Sequence, residues 1–493
     1  MNNPKSPTLV RALGPAIAIS VVVGNVIGSG IFLKPGNIAA EAGRFDVIFA
    51  VWILGGLLCI LGALCIAELA TMFPHAGGLY VYLRQAYGRP VAFLFGWSEF
   101  AVRVPGSIAA LSVAFIDKLV LATGWSVPLY GRLTLVAVLI VGLAAVNVRG
   151  VIWGGRFQFA TTAIKTALLG LVALAPLALM PFISSGIEMS NYSTTAEPGN
   201  TSLASQIGIV LLAVMWAYNG WHGLTPLAEE VRDPSRNFPR ALFIGIGLLI
   251  VLYLAANLAY HGVLTMEEMK ASGNDAAERM MEKLLGPSGG TIVSLVIMCS
   301  VFGAIGTNLL LAPRIAFAMG RDRAFFAKLG EVQVKYRTPA VAIVVTSVMA
   351  IGLIALVTFA KLFVADVDPM SYGWELPRAI ITSLRNDTIF DLLTNFVIFT
   401  ASIFYFLAVC AVIVLRFTMP LAERPFKVWG YPFVPLAFLA VYAWFLSRIF
   451  SDKPLESYAG IGILIVGVPV YCAYQWLSGN WHRPRSENVG RKM

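Results

Sequence analysis

Apolar residues in this chain gather into long runs separated by short polar connections. About 20 mostly apolar residues are enough for a helix to cross the hydrocarbon of a bilayer. Runs of that kind lie at roughly 12–41, 46–72, 87–117, 133–148, 157–182, 207–228, 240–262, 290–318, 339–360, 388–416, 433–449 and 458–478. The pattern predicts an all-α membrane protein of twelve transmembrane helices. Basic residues are spread unevenly over the connections. Lys5, Arg11, Arg84, Arg89, Arg149, Arg156, Arg232, Arg236, Arg240, Arg416, Arg424 and Lys427 fall on one side, together with a basic stretch from Arg321 to Arg337. Lys and Arg accumulate in short cytoplasmic loops. Both termini are therefore expected in the cytoplasm, in agreement with an even number of spans. The first run is too long for the apolar region of a signal peptide and reads as an uncleaved span.

Composition narrows the function classes. Of 493 residues, 58% are hydrophobic and 13% charged, against about 45–50% and about 25% for soluble domains. The net charge of +10 invites a nucleic-acid reading, but the basic residues sit between spans, where they orient the chain, so no nucleic-acid partner is expected. Cys59, Cys65, Cys299, Cys410 and Cys472 all lie within apolar runs and form no CxxC pair. They read as small buried hydrophobes. His75, His222, His261 and His482 lack metal-ligand spacing. No Walker A loop, HExxH or GxSxG is present. The chain is thus not expected to be an enzyme or to carry a metal or other cofactor. A channel would show a filter loop or a ring of charges, and neither is evident.

Two spans are interrupted. The first contains Gly24-Asn25-Val26-Ile27-Gly28-Ser29-Gly30-Ile31, and the sixth contains Trp216-Ala217-Tyr218-Asn219-Gly220-Trp221-His222-Gly223, followed by Pro226. Glycine and proline are poor helix formers, and unwound backbone at membrane depth is tolerated only where it is buried in protein or lines a cavity. Breaks at corresponding positions of two halves point to a transporter site between repeats. Where the first helix restarts, the free N–H groups of Ser29, Gly30 and Ile31 make an anion site with the helix dipole. The breaks also free carbonyls at Val26, Trp216, Ala217 and Asn219, which suit an ammonium. A carboxylate receptor beside an ammonium receptor describes a zwitterionic α-amino acid. Taken alone, Gly24 and Gly28 also fit simple close packing of small residues.

These segments resemble the amino acid–polyamine–organocation (APC) superfamily, and within it the L-amino-acid transporter branch. The matching stretches are Gly24 to Phe32, Trp216 to Trp221, Ala228 to Arg240, Arg321-Asp322 and Arg424 to Pro432. The resemblance implies a LeuT-type fold, with a five-plus-five inverted repeat over 1–182 and 207–416. Two extra helices over 431–478 and a cytoplasmic tail at 479–493 would follow. It implies that Val26, Ile27, Gly28, Ser29, Gly30, Ile31, Trp216, Ala217, Tyr218 and Asn219 hold the substrate, with Trp216 as an outer gate. Sodium-coupled relatives hold a cation between spans one and eight. Lys165 in span five is similar to the lysine that takes that place in sodium-independent members. The alternative is a lysine that snorkels to the inner interface.

Other polar groups within spans divide between site and scaffold. Glu68 closes span two. Glu99 and Arg103 stand one turn apart and are expected to pair. The branch usually carries its basic residue directly before the span-three proline, whereas here Val104 separates Arg103 from Pro105. Arg103 is therefore expected to be structural rather than a substrate contact. Asn308 and Tyr405 fit either pocket or packing roles. Glu229 to Asp233 reads as a solvated loop, and the resemblance places it near the inner gate. Animal members are disulfide-linked to a glycoprotein through a cysteine between spans three and four. The corresponding loop, 117–132, contains none, so no such heavy chain is expected. Asn191, Asn200 and Asn386 begin glycosylation sequons, a pattern too short to carry weight. The leading expectation is a sodium-independent exchanger of neutral L-amino acids in the plasma membrane, or the inner membrane of a Gram-negative cell. A proton-coupled amino acid or polyamine symporter, and a receptor with a transporter fold, remain open.

Overall fold

The computed structural model describes residues 11–478 apart from 12, 150–151, 183–185, 200–201, 312, 334–335, 337 and 372. Lys5, Arg337, Asn200, His482 and the tail 479–493 lie outside the described residues, as does the side chain of Arg156.

The described chain is all-helical, with eleven helices long and apolar enough to cross a membrane and a shorter apolar helix in sixth place. In chain order these are α1 (Pro15–Leu33), α2 (Phe45–Met72), α3 (Arg89–Thr123), α4 (Leu129–Arg149), α5 (Ile152–Leu179) and α6 (Leu203–Ala217). They continue with α7 (Pro234–Val263), α8 (Pro287–Leu311), α9 (Ala340–Phe363), α10 (Ile389–Thr418), α11 (Phe433–Asp452) and α12 (Pro454–Leu477). Each expected span has a helix in its place, but the sixth, expected over 207–228, is helical only over Leu203–Ala217, and the first, expected to residue 41, ends at Leu33.

Helices α1, α3, α6, α8 and α10 are the most enclosed. α1 packs against α5, α7 and α8, while α3 packs against α8 and α10. Large apolar side chains such as Val146, Leu171, Leu356 and Ile465 stand exposed on the outer helices. In water such a surface would associate, whereas in lipid it is at home. Cys59 and Cys65 are buried as expected, but Cys299 and Cys472 are exposed and Cys410 is half-buried. A position facing lipid and one facing the protein core carry the same apolar residues, so hydropathy does not separate them.

Both expected breaks are real. α1 is helical over Pro15–Val26, passes through an extended Ile27, and restarts at Gly30. α6 ends at Ala217, followed by turns to Leu224 and a short 3-10 segment, Thr225–Glu230. A third irregularity lies in α3, where Glu99–Arg103 forms one π-helical turn just before Pro105. Such turns occur frequently at functional sites.

Candidate functional site

The two breaks meet. The side-chain amide of Asn25 donates to the Gly220 carbonyl at 2.9 Å and ties them together. Gly220 has φ of +98°, and a Cβ there would lie 2.4 Å from Asn25 Nδ2. A Cβ on Gly30 would lie 2.4 Å from the Ala217 Cα. Only glycine allows this approach. Gly24 packs as closely against α5, where a Cβ would meet Thr162 Oγ1 at 2.0 Å. The packing reading thus holds for Gly24.

Between the breaks is a cavity lined by Asn25, Val26, Gly28, Ser29, Gly30, Trp216, Asn219 and Gly220. Arg103, Ser107 and Leu111 from α3 and Ala304 and Asn308 from α8 complete its wall. The backbone N–H groups of Gly28, Ser29, Gly30 and Ile31 have no hydrogen-bond partner. These four donors lie at the first break, where α1 restarts.

The carbonyls are a different matter. Expected to be free, three of the four are already bonded. Tyr253 Oη donates to Val26 O at 3.2 Å and to Ala217 O at 3.0 Å, and Trp216 O accepts from the Asn219 N–H at 3.0 Å. Only the Asn219 carbonyl has no partner. A carbonyl has two lone pairs, so a bonded one still accepts an ammonium. Tyr253 instead aims the receptor. Removing its hydroxyl as Tyr253→Phe costs about 1 kcal/mol at such a site. The transport kcat/KM is expected to fall roughly fivefold, with membrane insertion unchanged. Wild-type initial rates in the variant would show that this tie has no part in recognition.

The remaining site residues separate by place. Ile31 and Tyr218 are fully buried, and Tyr218 packs on Trp52 and Tyr253 away from the cavity. Trp216 lines the cavity, its Nε1 3.3 Å from Ser29 Oγ and its ring edge-on to Phe390 at 6.0 Å. Tyr405 Oη donates to Asn219 Oδ1 at 3.1 Å and so orients that amide. Arg103 pairs with Glu99 as expected and also lines the cavity.

Lys165 does not snorkel. It is 1% exposed, and its Nζ donates to Gly24 O at 2.6 Å and Ile27 O at 2.9 Å. Ser300 Oγ donates to Gly28 O at 3.2 Å from the α8 side. An ammonium thus occupies carbonyls of the first break, where α1 has lost its own partners. Asn25, Ser107, Tyr253 and Ser300 were not singled out by the sequence. Asn25 lies inside the first glycine motif, but the other three are lone polar residues in apolar runs.

Polar layers lie away from the cavity lining, on two sides of the bundle. At one end Lys34 Nζ pairs with Asp391 at 2.6 Å and donates to Thr394. At the other, Glu230 pairs with Arg314 at 3.0 Å, Arg84 pairs with Asp322, and Glu229 accepts from the Ala76 N–H. The segment 229–233 is therefore solvated only in part, with Arg232 and Asp233 exposed. Glu230 and Val231 are buried, and Leu13 bridges to this segment by backbone bonds at 2.9 Å. Glu68 is also fully buried, held by Arg416 at 2.6 Å and the Val428 N–H at 2.8 Å. The Asn191 side chain is buried too and donates to Gly262 O, so that sequon is already engaged. Among the described residues no His, Cys, Asp and Glu cluster could hold a metal.

The profile of the amino acid permease family matches residues 13–468. This chain belongs to that family. The permease is 30% identical to the serine/threonine exchanger SteT of Bacillus subtilis (strain 168), over 94% of its own length and 96% of that protein. It is 29% identical to the b(0,+)-type amino acid transporter 1 of Mus musculus, over 99% and 93%. It is 32% identical to the large neutral amino acids transporter small subunit 2 of Homo sapiens, over 97% and 82%. The permease is a multi-pass membrane protein and an amino acid transporter, not an enzyme.

Proposed function

We propose that the permease is a sodium-independent exchanger of neutral L-amino acids that works by alternating access. The observation that carries the reading is the pairing of unpartnered N–H groups at Gly28–Ile31 with the buried Lys165 ammonium on the Gly24 and Ile27 carbonyls. The first is a receptor for an α-carboxylate. The second puts a cation that belongs to the chain where a coupled transporter would recruit one from solution. The substrate ammonium would rest on the carbonyls of Val26, Trp216, Ala217 and Asn219, with Trp216 as the lid. Relatives named as exchangers and as large neutral amino acid transporters support both parts of the reading.

In this reading 1–182 and 207–416 are inverted repeats that move against one another, and 431–478 adds the last two helices. The end that holds Glu230 and Arg314 faces the cytoplasm, as Arg84, Arg232, Arg321, Arg416 and Arg424 around it favour. The membrane is the cell's plasma membrane, and no disulfide-linked partner is required. The test is uptake of labelled amino acids into proteoliposomes, preloaded or empty, with and without sodium and a proton gradient. Uptake that needs an internal amino acid and ignores both gradients is expected. Concentrative uptake into empty vesicles driven by protons would replace exchange with symport.

A further inference from the structure

The cavity wall beyond the carboxylate receptor carries hydrogen-bonding groups that nothing in the protein uses. Arg103 has five N–H donors, and only its Nε is spent, on Glu99. Its two terminal amino groups have no hydrogen-bond partner among the described residues and are not fully enclosed, although the side chain is only 11% exposed. Arg103 lines both the cavity and an adjoining pocket bounded by Leu79, Phe95, His222 and Thr225, so the two spaces are the ones open to these groups. Ser107, one turn further along α3, lines the same cavity with a buried hydroxyl that has no partner. The Asn219 side chain uses its Oδ1 on Tyr405 and keeps its NH2 group. Asn308 uses its NH2 group on Ala304 O at 3.0 Å and keeps its oxygen.

An apolar substrate side chain would leave these groups dry and unpaired, at about 1–3 kcal/mol for each group sealed off. A hydroxyl or carboxamide, which both donates and accepts, pairs with them. Charge narrows the class further. Arg103 and Glu99 together are neutral, so a substrate carboxylate in this subsite would be an extra anion beside Glu99, and a cationic side chain would meet the guanidinium. The π-turn helps place the group, because Glu99 and Arg103 span it and Pro105 follows directly.

We propose that Arg103, with Ser107, Asn219 and Asn308, forms the side-chain subsite of the permease, and that its substrates are neutral amino acids with hydroxyl or carboxamide side chains. The proposal rests on the amino acid transport reading and names its substrate class. The experiment is the kcat/KM for serine, threonine, asparagine and glutamine against valine, leucine, glutamate and lysine in preloaded proteoliposomes. Wild type is expected to favour serine over valine, and asparagine over leucine, by at least about tenfold. That ratio is expected to collapse by about tenfold in Arg103→Met. The paired Glu99→Met/Arg103→Met variant should show the same collapse without an unpaired buried carboxylate. Arg103→Lys keeps the charge and loses the fork, and should also lower the ratio.

A wild-type preference for valine or leucine would overturn the proposal, as would a ratio unchanged in all three variants. A preference for glutamate would make Arg103 a counter-ion and overturn the neutral class. Absence of any amino acid transport would overturn the functional reading itself. The wild-type panel decides the class even if the variants do not insert.

Discussion

Alanine at position 30 is expected to abolish amino acid transport by this permease. The new Cβ would sit 2.4 Å from the Ala217 Cα, 2.8 Å from its Cβ and 3.0 Å from its N. No Cβ comes so near backbone, and backbone cannot turn aside as the end of a long side chain can. The restarted half of α1 must move away from α6. That shift disperses the N–H groups of Gly28 to Ile31 and separates the two halves of the receptor. Overpacking of this kind costs about 1–3 kcal/mol where neighbours can adjust, and more where they are main chain. Uptake in Gly30→Ala should fall by well over tenfold while the protein still reaches the membrane. Gly142→Ala is the control, since nothing lies within 4 Å of the added carbon. Near-normal uptake in Gly30→Ala would show that α1 and α6 do not hold this separation in the working cycle.

The second large effect is expected at Lys165. Methionine there keeps most of the apolar stem and removes the amino group that donates to Gly24 O and Ile27 O. A hydrogen bond from a charged group is worth about 1.5–3 kcal/mol, so losing two corresponds to roughly a hundredfold or more. Initial rates of exchange in Lys165→Met should drop by about that factor, equally with and without sodium. Full activity in the variant would reduce Lys165 to a packing residue. Activity regained only in sodium would show that the carbonyls accept a free cation once the ammonium is gone.

Hydropathy and the glycine-rich motifs carried the span pattern and both breaks, because each is local. An unwound turn in a membrane helix declares itself through Gly24, Gly28, Gly30 and Gly220 without reference to the rest of the fold. The N–H receptor followed from the same local fact. The carbonyls did not. That Val26 and Ala217 are freed is local, but that Tyr253 takes them depends on where α7 packs. Ion pairing failed for the same reason. Glu230 with Arg314, Glu68 with Arg416 and Lys34 with Asp391 are far apart in sequence, so Glu230 read as part of a wet loop. Glu99 and Arg103 were legible as a pair because one turn of one helix joins them. What that spacing concealed was the direction of the remaining guanidinium donors.

The two ionic layers are not alike. Lys34 and Asp391 have side chains 3% and 16% exposed, whereas Arg84 and Asp322 are 35% and 26% exposed. Mobile ions weaken attractions between wet charges and scarcely reach dry ones. Dissolved electrolyte can therefore weaken the Arg84–Asp322 pair, while Arg314–Glu230 on the same side, 9% and 12% exposed, and Lys34–Asp391 are scarcely reached. One end of the bundle thus sets a wet ion pair beside a dry one, and only the wet pair is expected to follow ionic strength.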